Sequence, residues 1–209
     1  VTVDDAMTVL QDEATEDISI MAGVTPNEDS YFGTSVFQHA KNRALWLMLL
    51  MLSATVSGEI LAHYESAMAV MPILITFIPM LMGTSGNCGS QSSTMVIRGI
   101  AVGEIEFKEF FKVVFKEIRI AILVGVMLAV VNGIRIYIMY DQDIMLAIAI
   151  GITMIAIVCM AKCIGCTLPL FAKKIGLDPA LMAAPLISTI MDTCTILMYF
   201  AIITAFFKL

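Results

Sequence analysis

Asp192 stands inside an apolar stretch, "PLISTIMDTCTILMYF", where an ionisable group at membrane depth is costly unless it faces water or a partner. Helical spacing puts Pro185, Ser188, Thr189, Asp192 and Thr195 on one face. Pro185 would also remove a backbone hydrogen bond and leave the Leu181 carbonyl open. Carboxylate, hydroxyls and carbonyls in one stripe form an oxygen-lined path, suited to a hard cation that keeps most of its water. The competing reading is structural: Asp192 as one half of a buried ion pair with Lys162 of the preceding apolar segment.

A second polar feature interrupts another greasy segment. Between Met82 and Met95 the chain reads "GTSGNCGSQSST". Gly86 and Ser90, Gly89 and Ser93, and Ser90 and Thr94 are small residues four apart, which lets helices approach closely in lipid. Asn87 and Gln91, also four apart, carry amides that would be costly against lipid, so they should face another helix or a water-filled path. No Walker lysine and no preceding strand make the run a phosphate-binding loop.

A third group is acidic. Residues 1–29 hold Asp4, Asp5, Asp12, Glu13, Glu16, Asp17, Glu28 and Asp29 with no Lys or Arg, and Ala6, Val9, Leu10 and Ala14 repeat at near-helical spacing. A short helix over residues 3–21 is predicted, ending at Gly23 and followed by the linker "TPNEDSYFGTS". It reads either as a solvated acidic helix or as a collector of divalent cations through "EATED", since clustered carboxylates relieve their repulsion by binding one.

The elements that must position these groups follow from composition. With 59% hydrophobic and 14% charged residues and a mean hydropathy of +0.92, the chain is an integral membrane protein. The apolar runs are continuous rather than alternating, so the fold is all-α and not a barrel. Five spans are expected, over residues 44–61, 67–97, 118–136, 144–171 and 179–207. Lys41, Arg43, Arg98, Lys108, Lys112, Lys116, Arg119, Lys173 and Lys174 concentrate on one side, whereas the loops "AHYES" and "YIMYDQD" contain neither Lys nor Arg. That asymmetry sets the N-terminus in the cytoplasm and the C-terminus on the outer side of a multi-pass plasma-membrane protein. No signal peptide is visible, and an opening without Met suggests a fragment of a longer chain. "GEIEFKEFFKVVFKEIR" is expected as an interfacial helix leading into the third span, with Lys108, Lys112 and Lys116 on one face.

Other chemistries find little support. Cys88, Cys159, Cys163, Cys166 and Cys194 all fall in or beside spans and read as small packing residues, Cys163 and Cys166 included. His39 and His63 lie at opposite membrane edges. An intramembrane aspartyl protease needs two facing aspartates, but Asp192 is the only one deep in a span, and no H-E-x-x-H or G-x-S-x-G is present. An enzyme is therefore not expected, nor is nucleic acid as a partner. A non-conducting metal sensor or scaffold would keep the acidic helix but has no need of the stripe on the fifth span.

At these residues the sequence resembles the MgtE family of magnesium channels and transporters. The resemblance covers essentially the whole chain and rests on "PMLMGTSGNCGSQSSTMVIRGIAVGEI", on "LPLFAKKIGLDPALMAAPLISTIMD" and, more weakly, on "EATEDI". "VTVDDAM" resembles the end of a cystathionine-β-synthase (CBS) domain, so residues 1–30 would hold that end, a plug-like helix and a linker, and residues 31–209 the pore domain. The resemblance implies a homodimer with five spans per subunit, a Mg²⁺ pore at the dimer axis, and CBS sensor domains upstream. It implies Asp192 as the main ion-binding group, with Ser188 supplying a backbone carbonyl and Asn87 lining the pore. Gln91, Pro185, Thr189 and Thr195 complete the expected lining. Asp178 would share a regulatory divalent site with Glu16 and Asp17, through which cytosolic Mg²⁺ closes the pore. A broader preference that includes Mn²⁺ or Co²⁺ fits the same ligands. Lys162 departs from the expected pattern; it either weakens binding at Asp192 or snorkels toward Lys173 and Lys174.

Overall fold

The computed structural model describes residues 2–27, 30–140 and 143–208; Glu28 and Asp29 of the acidic stretch and Asp141 and Gln142 of "YIMYDQD" lie outside them. All regular structure among the described residues is helical. Helix α1 spans Val3–Met21, as predicted, opened by a capping box between Thr2 and Asp5. It closes before Gly23, whose φ of +69° is one that side-chain-bearing residues rarely adopt.

Helix α2, Val36–His63, is capped by the Ser35 side chain and extends the first expected span at both ends. The second expected span is not one helix. It divides into α3, Glu65–Val70, a 3-10 segment over Pro72–Phe77, and α4, Ile78–Ala101. Proline supplies the reason: Pro72 opens the 3-10 segment and Pro79 the first turn of α4, positions where a missing N–H is harmless. The expected interfacial helix is not separate either, because α5 runs unbroken over Phe110–Met139 and carries Lys112 and Lys116 on its first turns. Helix α6, Ile144–Lys174, begins at an Asp143 cap and contains Pro169.

The fifth expected span is broken near its start. Pro179–Met182 form a 3-10 turn capped by Asp178, Ala183 is extended, and α7 runs over Ala184–Phe207. Pro185 therefore lies in the first turn of α7, so it breaks no ladder within the span, and the expected opening of the Leu181 carbonyl by Pro185 does not arise.

Helix α6 is the hub, packed against α5, α4 and α7. Its buried face, including Ile150, Met154, Ile157 and Ala161, meets Leu74, Phe77, Ile187 and Phe200 in the main core. Helix α2 joins at the margin through α7, leaving Leu45, Met48, Leu49 and Leu52 exposed. Helices α2, α6 and α7 are long and apolar enough to cross a membrane.

Candidate functional site

The middle of α4 has almost no bulk on its inward side, and there its neighbours touch backbone. No Cβ would fit at Gly165 of α6 against the Gly89 carbonyl, and one built at Gly89 would lie 2.8 Å from Ile187 and 3.1 Å from Met191 of α7. Gly86, Gly89 and Ser93 thus give the close helix approach expected of small residues four apart, whereas Ser90 and Thr94 do not face a neighbouring helix but line an outward groove. Hydroxyls fasten the contact: Thr195 donates to Ser85 at 2.6 Å, and Ser93 donates to the Met182 carbonyl at 2.5 Å beside the break before α7.

The outward side of α4 is different. Gly83, Asn87, Gln91, Thr94 and Arg98 are exposed, and Asn87, Ser90, Gln91, Thr94 and Met95 line a groove of about 640 Å³. Asn87 therefore faces away from the helices of its own chain, and Gln91 is exposed beside a cleft it shares with Lys112 and Lys116 of α5. Asp192 of α7 is half-buried and forms no hydrogen bond or ion pair among the described residues. It is bracketed by contacts to consecutive residues of α4, Thr195 to Ser85 on one side and Ser188 to Gly86 on the other. Thr195 is buried with its hydroxyl committed to Ser85, and Thr189 bonds back to the Pro185 carbonyl at 2.9 Å. On the face expected to be uniformly open, the Asp192 and Ser188 side chains form no hydrogen bond among the described residues, while Thr195 ties α7 to α4 and Thr189 bonds within its own helix.

Lys162 pairs neither with Asp192 nor with solvent. It is buried on α6, its Nζ 3.7 Å from Glu117 Oε2 of α5. Ser92 of α4 donates to that same oxygen at 2.8 Å and lies 3.2 Å from the Lys162 carbonyl. This partner corrects the expected ion pair with Asp192 and the expected snorkelling toward Lys173 and Lys174. Glu117 belongs to the run expected as an interfacial helix, yet it shares a helical face with Val113 and Ile120, an apolar setting that marks an inward carboxylate.

At the end of the bundle where α1 docks, Asp178 caps the 3-10 turn by accepting from the Ala180 N–H at 2.8 Å. Helix α1 packs on this turn, and Gly23 rests against Pro185 and Trp46. Burial, and then the charges of Asp178 and Glu13, push the Asp17 carboxyl above its usual range. Glu16 turns to another side, into a cleft of about 520 Å³ shared with Asp12, Thr15 and Ser19. Asp17 and Asp178 are brought together; Glu16 lines separate space. Among the described residues no three carboxylate, imidazole or thiol groups converge on one point as metal ligands.

A helical membrane protein with an unpartnered carboxylate and an outward amide stripe is the class these features define. A family model described as a divalent cation transporter, MgtE, matches residues 78–202, which include α4, α5, α6 and most of α7. The chain belongs to the MgtE family. It is 33% identical over 202 residues to the magnesium transporter MgtE of Thermus thermophilus, covering 97% of this chain and 44% of that one. The Bacillus subtilis magnesium transporter MgtE is 33% identical over 206 residues, and that of Enterococcus faecalis 31% over 211, each with 45% of its length covered. The chain thus spans less than half the length of these relatives.

Proposed function

We propose that this chain is the membrane portion of a homodimeric, Mg²⁺-selective channel or transporter of the plasma membrane, closed by cytosolic Mg²⁺. In this reading α2, α4, α5, α6 and α7 are the five spans, with the N-terminus cytosolic, the C-terminus outside, and CBS domains upstream in the longer chain. Asp192, a half-buried carboxylate without a partner among the described residues, is the observation that carries it. A group so placed needs a counter-charge or water, and a hydrated divalent cation supplies both. The amides of Asn87 and Gln91 line the same path from α4, and two copies meeting along the groove would give them polar surroundings. Ser188 contributes its backbone carbonyl.

The gate in this reading is electrostatic. Asp17 and Asp178 repel when α1 is docked, so a divalent ion held near them favours the closed arrangement. Glu16 adds negative charge on the adjoining surface rather than a third ligand in place.

The test is Mg²⁺ entry into proteoliposomes followed by an internal dye, with Mn²⁺, Co²⁺ and Ca²⁺ in parallel, for the native chain and Asp192→Ala. Losing a charge-assisted ligand worth roughly 1.5–3 kcal/mol should lower flux by about tenfold or more. Equal flux from a folded mutant sinks Asp192 as the ion site. Equal rates for the four metals favour a broad divalent transporter, and no flux from either chain favours a sensor or scaffold.

A further inference from the structure

The hydroxyls that fasten α4 are unevenly distributed. Ser85 and Ser93 both bond toward α7 and the turn before it, which ties the helix along one side. On the other side, among the described residues, only Ser92 reaches out, to Glu117 of α5 and the Lys162 carbonyl of α6. Over the turns between Ser85 and Ser93 the buried residues are Ser85, Gly86, Cys88, Gly89, Ser92 and Ser93, and the large buried side chains of α4, Leu81, Val96, Ile97 and Ile100 among them, lie before and after these turns. In the middle of α4 the rotation is therefore set by the glycine contacts with α6 and α7 together with these hydrogen bonds, of which the one to Glu117 is charge-assisted.

A buried ion pair is a poor means of stabilising a fold, because desolvation offsets most of its attraction. Glu117 and Lys162 are nonetheless 14% and 7% exposed, at the floor of a cleft of about 580 Å³. Arg98, Lys112 and Lys116 line the same cleft, which gives the pair a polar approach. Gln91 lies next to Ser92 and lines both this cleft and the outward groove.

We infer that Ser92, Glu117 and Lys162 are positioning residues: the ion pair holds the Ser92 hydroxyl and thereby fixes the rotation of α4 that presents Asn87 and Gln91 outward. That those amides meet an ion rests on the proposed pore. Lys162 orients the Glu117 carboxylate, Glu117 accepts from Ser92, and neither needs to touch the cargo.

The test reads rotation directly. In a background with the five native cysteines replaced by alanine, single cysteines are placed by Asn87→Cys or Gln91→Cys, or Cys88 is retained, and each is labelled with a water-soluble thiol reagent. Positions 87 and 91 should label and Cys88, which is 6% exposed, should not. Ser92→Ala, which leaves the ion pair whole, should weaken labelling at 87 and 91 and open Cys88. Glu117→Leu combined with Lys162→Met, an apolar pair of similar volume that should keep the fold, should do the same. Both variants should also lose preference for Mg²⁺ over Ca²⁺ in the proteoliposome assay. An unchanged labelling pattern in the two folded variants overturns the inference, whatever the flux. A native chain that moves no ion overturns the pore reading, while the labelling still decides the positioning role.

Discussion

Gly165→Ala is a single methyl placed where two backbones meet. The new Cβ would meet the Gly89 carbonyl oxygen and lie 3.1 Å from the Gly89 Cα, and no flexible side chain stands there to yield. Overpacking of this kind costs about 1–3 kcal/mol, and a backbone obstacle argues for the upper end. Moving α4 away from α6 would also stretch the bond from Ser92 to the Lys162 carbonyl, worth about 1 kcal/mol. Alanine returns roughly 1 kcal/mol through its better helix propensity. The balance is about 3 kcal/mol of destabilisation, which for a chain of this size lowers Tm by roughly 6–12 °C. Gly133→Ala is the control, since nothing lies within 4 Å of its added Cβ and propensity alone should raise Tm by roughly 2–4 °C. Thermal unfolding of detergent-solubilised protein, followed by loss of the monodisperse chromatographic peak, measures both. A Gly165→Ala protein that melts with the native chain or above it would refute the backbone contact between α4 and α6.

Two predictions concern the docking of α1, and Trp46, the single tryptophan, reports on it because Gly23 rests against its ring. A carboxyl whose pKa is raised on docking binds its proton more tightly in the docked state. Docking should therefore be strongest below the ordinary carboxylate range, near pH 4, and weaken as pH rises through the raised value of Asp17. Without divalent ions, Trp46 emission should shift over that window, and Asp17→Asn should flatten the shift; a shift of full size in that variant would remove Asp17 as its source. Asp178→Asn keeps a good capping group but loses the charge, whereas Asp178→Ala loses both. The asparagine variant should hold native Tm and, under the proposed gating, lose docking promoted by Mg²⁺, and the alanine variant should fall by about 1 kcal/mol as well. Equal Tm for the two would show that the cap contributes nothing.

The acidic helix was fully legible, because its cap, its charge pattern and its terminal glycine are all local signals. The long apolar runs were legible as helices, but their interruptions were not. At Pro72 and Ala183 the chain changes conformation inside continuously apolar sequence, where periodicity gives no warning and only proline hints at a boundary. Asp192 stood out because a charge among apolar residues is conspicuous. Glu117 did not, because its partner lies on another helix and pairing across helices leaves no spacing to read. The same limit applies to Thr195, whose place on one face was readable but whose engagement with Ser85 depends on how α4 and α7 meet.

The weak bulk of α4 also bears on how the chain is made. In the five-span reading, α4 leaves the ribosome second, carrying twelve small or polar residues between Met82 and Met95 that offer a translocon little reason to release it into lipid. Its groups find their partners on α5, α6 and α7, all synthesised later. In that reading stable insertion of α4 waits for α6, one of the three helices apolar enough to cross a membrane, to emerge and take it into the bundle. A ribosome stalled before α6 would expose the "GTSGNCGSQSST" segment to quality-control proteases, so variants that weaken this capture should be lost during synthesis, before any ion is moved.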